Sequence, residues 1–188
     1  AEKILVGQEP KIDPAIAPAI NAFREFLDSC RIQVVPEHVE RRIIHLQERY
    51  AGTIDAMATI DGKFGVLDIK TSQAIYRDYN LQTAAYLAAL GREFSNLSTR
   101  WILRIDQVQT CLKCSATLRT KGGREKIRTA NGSKALCPDG EHEWQDVAGQ
   151  IELKEFPYWR DDFDAFLAAK RLWEWENDYW LRQIGYLK

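Results

Sequence analysis

The stretch whose reading decides the fold is Gly52–Lys70, GTIDAMATIDGKFGVLDIK. Two largely apolar runs flank Asp61-Gly62, a dipeptide that favours the left-handed backbone of a tight hairpin turn. The reading is therefore a pair of antiparallel strands. Side chains alternate along a strand. Phe64, Val66, Asp68 and Lys70 then share one face, and Gly65, Leu67 and Ile69 share the other. A hairpin that only packed would hold Val or Ile at positions 55, 68 and 70. Asp55, Asp68 and Lys70 stand there instead, and charged groups are costly to bury.

Strand pairing brings Asp55 close to Asp68. Neighbouring carboxylates raise each other's pKa unless a cation lies between them. Hard oxygen donors of this kind suit Mg²⁺ or Mn²⁺. Lys70, beside Asp68, is a point charge able to steady negative charge developing on a phosphate. Carboxylates, a divalent cation and a lysine are together the equipment for hydrolysing a phosphodiester.

The surrounding sequence extends the pattern: Glu40, then Gly52-x-x-Asp55, then Asp68-x-Lys70, then Gln82-x-x-x-Tyr86. In that order it resembles the PD-(D/E)XK nuclease superfamily, and within it the RecB-like exonucleases, which include phage and CRISPR-associated members. The motifs fall within residues 35–110. Each motif alone occurs by chance; an Asp pair beside a lysine is ordinarily just surface charge. The order of all four carries the resemblance. It implies a restriction-endonuclease-like α/β core with a mixed sheet. It implies Asp55 and Asp68 as Mg²⁺ or Mn²⁺ ligands, completed by the backbone carbonyl of Ile69, and Lys70 as the catalytic lysine. Glu40 resembles the first-motif acid, with Glu37 and Glu48 as rivals. Gln82 and Tyr86 resemble the third motif, which orients the site or contacts DNA. Four apart, they share one helix face. Some relatives add a histidine from an upstream helix, and no residue here matches it; His38 and His45 read as structural or exposed.

Working outward, DPAIAPAINAFREFLDSC reads as a helix on the spacing of Ile16, Ile20, Phe23 and Leu27, with its regular part starting at Pro18 after a loose turn from Asp13. The region from Val39 to Leu46 reads as a strand. DYNLQTAAYLAALGRE reads as a helix stopped by Gly91. STRWILRIDQV is a strand, and EWQDVAGQIELKEFP its return partner. RDDFDAFLAAKRLWEWENDYWLRQIG reads as one long helix with Asp161 as N-cap. Phe163, Phe166, Leu167, Trp173 and Trp180 form its apolar stripe. The whole is a single domain over residues 1–188, a sheet covered by helices.

Residues 111–143 have a different character. Cys111-x-x-Cys114 and Cys137 with His142 are two knuckles of metal-ligand type. They resemble an inserted zinc ribbon with Cys₃His ligation, in which metal replaces the core that the segment lacks. The competing reading is an iron–sulfur cluster on Cys30, Cys111, Cys114 and Cys137, as some RecB-like relatives hold one. Cys30 otherwise reads as a small apolar residue at a helix end. Lys113, Arg119, Lys121, Arg124, Lys126, Arg128 and Lys134 stud the same segment. Such a run is often only a solvated loop. Beside a nuclease site, Arg119, Lys121, Arg124, Lys126 and Arg128 would grip phosphates. LWEWENDYW reads as core before it reads as a base-stacking platform.

The chain of 188 residues is 45% hydrophobic and 28% charged, with net charge −1. That is the composition of a globular domain. No apolar run reaches the roughly 18 residues of a membrane helix. The opening AEKILVGQEP lacks the apolar length of a signal peptide, and the start at Ala1 without a Met reads as that of a processed or trimmed fragment. Cysteine spacing of metal type points to a reducing, cytoplasmic compartment. The expected activity is Mg²⁺- or Mn²⁺-dependent DNA cleavage by an exonuclease of recombination or repair. DNA is the expected partner, alongside a recombination or repair protein, with no membrane. A non-catalytic DNA-binding module and a restriction-type endonuclease are the other two readings.

Overall fold

A computed structural model describes residues 1–129, 137 and 140–188; Lys134 of the basic run lies outside them. The elements begin with α1 (Glu2–Leu5), a 3₁₀ turn at Pro14–Ile16, α2 (Ala17–Ser29) and β1 (Ile32–Val34). A second 3₁₀ turn, Pro36–His38, leads to β2 (Arg41–His45), β3 (Tyr50–Ile54), β4 (Ala56–Ile60) and β5 (Lys63–Lys70). Then come α3 (Tyr79–Leu90), β6 (Thr99–Thr110), β7 (Thr117–Lys121) and β8 (Arg124–Arg128). The chain ends with β9 (Ala148–Glu155), α4 (Arg160–Glu176) and α5 (Asp178–Gln183).

The turn at Asp61-Gly62 has the two positive φ angles, 50° and 78°, that a two-residue hairpin needs. It closes β4 on β5 with Ile60 opposite Lys63. The expected first strand of this hairpin is, however, two strands. The chain bends at Asp55, whose carboxylate accepts the Ile69 amide of β5 at 2.6 Å. A side chain thus takes the acceptor place of a strand carbonyl. Residues before it, β3, pair with β2 in a separate two-stranded sheet, while β4 pairs with β1 and β5.

The main sheet runs β1-β4-β5-β6-β7-β8, with β9 also paired to β6. The β5–β6 pair is parallel and the others antiparallel, so the sheet is mixed. Parallel neighbours need a crossover, and α3 supplies it. The alternation of β5 divides the interior as its sequence predicts. Leu67 and Ile69 face a core with Ala19 and Phe23 of α2, Trp101, Leu103 and Ile105. Val66 and Phe64 face a second core with Met57, Ile54, Ile43, and Tyr86 and Leu90 of α3. Helices therefore cover both faces, and the protein is α/β.

α2 starts as expected, after a turn in which Asp13 accepts the Ala15 amide at 2.9 Å. It lies so close to β9 that a Cβ on Gly149 would fall 2.3 Å from the Pro18 carbonyl oxygen. Gly91 follows α3 with φ −62°, so the helix stops there without a left-handed cap.

The C-terminal helix differs from expectation. It begins at Arg160 after Trp159, not on an Asp161 cap, and breaks at Asn177 into α4 and α5. At the break the Asn177 side-chain amide donates to the Trp173 carbonyl at 2.8 Å, doubling the backbone bond that Asn177 already makes there. The predicted apolar stripe is not buried: no α4 residue is, and Trp173 and Trp180 are 51% and 69% exposed. The reason is that α4 packs on α3 rather than on the sheet. Its anchors are Phe163 and Phe166 against Tyr50, and an ion pair of Asp162 with the fully buried Arg100 of β6.

That pair makes a prediction. Asp162→Ala leaves a buried guanidinium without its anion and should cost about 3–5 kcal/mol. The double change Asp162→Ala/Arg100→Met should recover most of the loss, read from urea unfolding midpoints.

Candidate metal-dependent site at the end of β5

β5 carries Asp68 into the interior and then runs out toward solvent. Asp68 is 1% exposed. Its Oδ2 lies 2.7 Å from the Lys70 ammonium as an ion pair. That oxygen nonetheless accepts no aligned hydrogen bond. Buried carboxylate oxygens without donors are rare. Burial pushes the Asp68 carboxyl up to about 6; the adjacent Lys70 ammonium pulls it down, and the charge of Asp55 pushes it further up.

Asp55, at the bend between β3 and β4, is the second carboxylate. Burial is the main cause that raises its pKa, opposed by the Ile69 amide and Lys70. The negative charges of Glu2 and Glu40 raise it further. Glu40 is thus the first-motif candidate whose charge Asp55 feels. Its backbone amide also donates to the Asp55 carbonyl at 3.0 Å, and its φ of 51° marks the sharp entry into β2. The rivals sit elsewhere. Glu37 is in the 3₁₀ turn, and Glu48 lies between β2 and β3, where its charge acts on Tyr50. Glu2, on α1, was not legible in the sequence: a four-residue helix is too short to show a period.

Gln82 and Tyr86 do share a helix face and meet the lysine. Lys70 Nζ donates to Gln82 Oε1 at 2.9 Å, and Gln82 Nε2 donates to Tyr86 Oη at 2.5 Å. An unbroken polar chain thus runs Asp68–Lys70–Gln82–Tyr86. Gly52 belongs to it as well. A Cβ there would lie 2.7 Å from Tyr86 Cε1, so the glycine of the Gly-x-x-Asp motif is the space in which the Tyr86 ring sits. Beside Gln82 and Tyr86 opens a cavity of about 360 Å³, lined also by Tyr50, Leu81 and Phe166.

The cysteine knuckles converge too. The ligand atoms of Cys111, Cys114, Cys137 and His142 all lie within 4.8 Å of one another. The Cys111 and Cys137 sulfurs are 3.7 Å apart, and Cys114 Sγ is 3.5 Å from His142 Nδ1. A tetrahedron with metal–sulfur bonds of about 2.3 Å spaces its sulfurs about 3.8 Å apart. The four residues therefore fit one tetrahedral metal ion. Cys30 is outside this group, at the C-cap of α2. Burial raises the Cys111 thiol, but amides of Cys114, Lys113 and Glu143 and the His142 ring outweigh it and draw it down to about 5. Burial and the neighbouring sulfurs push Cys137 up to about 11. Without a cation the thiols hold little negative charge in common; a bound metal removes that restriction.

Of the five basic residues expected to grip phosphates, Arg124, Lys126 and Arg128 stand on the fully exposed β8. Arg119 is half-buried, while Lys121 stays exposed but is engaged with the main chain. Arg119 pairs with the buried Asp106, and Lys121 donates to Thr71. No family model matches the chain, and no curated protein is detectably similar to it.

The raised Asp68 pKa has a sign that can be tested. The folded protein holds that proton between the ordinary carboxylate range and about pH 6, where the unfolded chain has lost it. Stability therefore falls as pH rises through that window. Asp68→Asn removes the buried charge. In buffer without Mg²⁺ or Mn²⁺ it should stabilise the protein by about 1–2 kcal/mol at pH 8, with the gain vanishing near pH 4. Thermal melts across pH check this.

Proposed function

We propose that this chain is a metal-dependent DNA nuclease of the PD-(D/E)XK type, closest in its motifs to the RecB-like exonucleases. One observation carries the reading: the residues of the Gly-x-x-Asp, Asp-x-Lys and Gln-x-x-x-Tyr motifs form a single contacting cluster, with Asp55 joined through the Ile69 amide, Gly52 through the Tyr86 ring, and Gln82 through Lys70. A mixed sheet with β5 and β6 parallel across α3 supports a restriction-endonuclease-like core.

Asp55, Asp68 and the Ile69 carbonyl would hold Mg²⁺ or Mn²⁺, with Glu40 and Glu2 adding charge nearby. The ion, when bound, supplies Lewis-acid polarisation of a phosphate and an acidified water. Asp68 would give up its proton to hold the ion, so metal affinity should weaken progressively as pH falls through about 6. Lys70 is fixed on one side by Asp68 and on the other by Gln82, so its ammonium is held ready for negative charge developing on a phosphate. Tyr86 fixes Gln82 in turn. The tetrahedral site is assigned to zinc, which has no redox chemistry and serves to order the insertion. It would present Arg124, Lys126 and Arg128 to the DNA backbone, where they add salt-dependent affinity. Recombination or repair is the setting in which such an exonuclease acts.

Cleavage of end-labelled linear DNA with Mg²⁺ or Mn²⁺ tests the reading. Wild-type protein should degrade linear DNA and spare covalently closed circles. Asp68→Ala and Lys70→Ala should each lower the rate by at least about 10³-fold, the scale of losing one charge-stabilising group. Rapid cutting of closed circles would move the assignment to an endonuclease. Equal activity in wild type and variants would remove it.

The second test concerns the insertion. The protein should be colourless and carry one zinc per chain, measured by elemental analysis. Visible absorption with bound iron and sulfide would replace zinc by a cluster.

A further inference from the structure

Arg119 and Lys121 are the exceptions in the basic run, and their contacts go to one place. Arg119 Nε donates to both oxygens of Asp106 at 2.6 and 2.9 Å, and Asp106 is 6% exposed on β6. The other end of the same guanidinium, Nη2, donates to the Thr71 carbonyl at 2.9 Å. Lys121 Nζ donates to that same carbonyl at 2.5 Å. Thr71 directly follows Lys70. The parallel ladder of β5 with β6 ends at Lys70 opposite Arg104, so Thr71 lies beyond its support. Two cations from β7 take over where the sheet stops.

β7 is itself held from the metal-ligand end. It pairs with β6 only at Gln109–Leu118 and Thr110–Thr117. Just before it, the Ala116 carbonyl accepts the Cys111 amide at 2.8 Å, and Ala116 packs among Cys111, Cys114 and Cys137. A continuous path therefore runs from the Cys₃His cluster through Ala116 and β7 to Arg119, and from there to the strand end that bears Lys70.

We propose that Arg119 is a positioning residue: from the metal-held insertion it clamps the Lys70–Thr71 end of β5 and so sets where the Lys70 ammonium stands. This rests on the nuclease reading for the role of Lys70, but the clamp itself does not. The chemistry explains why an arginine is used. Its planar fork reaches the Asp106 carboxylate and the Thr71 carbonyl at once, which a lysine's single ammonium cannot do. It also gives the insertion a task besides contact with DNA.

Arg119→Lys separates clamp from fold, because a lysine can still neutralise the buried Asp106 while releasing Thr71. Lys121→Met is the second variant, removing the other donor without leaving a buried charge. Hydrogen–deuterium exchange of the segment 69–76 is the first readout, made on the full zinc-loaded chain. A charge-assisted hydrogen bond lost from a strand end should speed exchange there by about tenfold, with the unfolding midpoint nearly unchanged. Stripping the zinc should produce the same local change. Cleavage of linear DNA is the second readout: kcat should fall about tenfold with KM little altered, because the exposed β8 arginines and lysine stay in place. Unchanged exchange over 69–76 in both variants would overturn the clamp, whether or not the protein cleaves DNA. Faster exchange with unchanged kcat would overturn the positioning role and leave only a structural contact. A wild type inactive on every DNA would fail the nuclease reading while the exchange result still judged the clamp.

Discussion

Asp68 is carried into the interior by β5 and held there by apolar neighbours on either side of the strand. A carboxylate in that position is destabilising unless positive charge comes to it, and two sources can supply it. Lys70 gives part, at 2.7 Å, but leaves Oδ2 without an aligned donor. A divalent cation shared with Asp55 would give the rest. The neighbouring features follow from this demand. The chain bends at Asp55 to bring a second carboxylate alongside. Gln82 and Tyr86 fix the far side of the lysine, and Gly52 makes room for the tyrosine. Buried carboxylates of this kind cluster at functional sites, and the proposed cation site would draw on that burial.

The two ends of the molecule are linked by a second buried acid. Asp106 draws Arg119 inward from a hairpin that otherwise bears exposed cations, and Arg104 stands 3.6 Å from the same carboxylate. An insertion joined to the sheet only at the base of its strands would swing there. Tethered through Asp106 and Thr71, it becomes an extension of the main sheet. The exposed β8 edge then has a fixed direction relative to Lys70, as the proposed nuclease reading would require of a phosphate-gripping surface.

Much of this was legible in the residues. Asp61-Gly62 fixes the turn, and the alternation from Phe64 to Lys70 assigns both faces of β5 because the strand period is two. The four-apart spacing of Gln82 and Tyr86 puts them on one helix face, and the knuckle spacing brings the three cysteines and His142 together. What escaped reading was decided by tertiary contacts. An Asp inside an apolar run looks like a strand residue, so the break at Asp55 cannot be seen without Ile69 opposite it. Glu2 lies on a helix too short to show a period. Arg100 and Asp162 are far apart in sequence, so the aromatic spacing of α4 suggested a buried stripe where two half-buried phenylalanines and an ion pair share the anchoring. Arg119 and Arg124 look alike in a basic run; only the buried Asp106 separates an internal tether from an exposed cation.

The central claim is that Asp55 and Asp68 form a divalent-cation site. Calorimetric titration of Mn²⁺ into the zinc-loaded protein at pH 7.5 tests it directly, with no substrate needed. The account predicts saturable binding in wild type that is lost in Asp55→Asn and Asp68→Asn and persists when Cys30 is replaced by Ala. Mn²⁺ binding of the same strength in wild type and in both aspartate variants would contradict it.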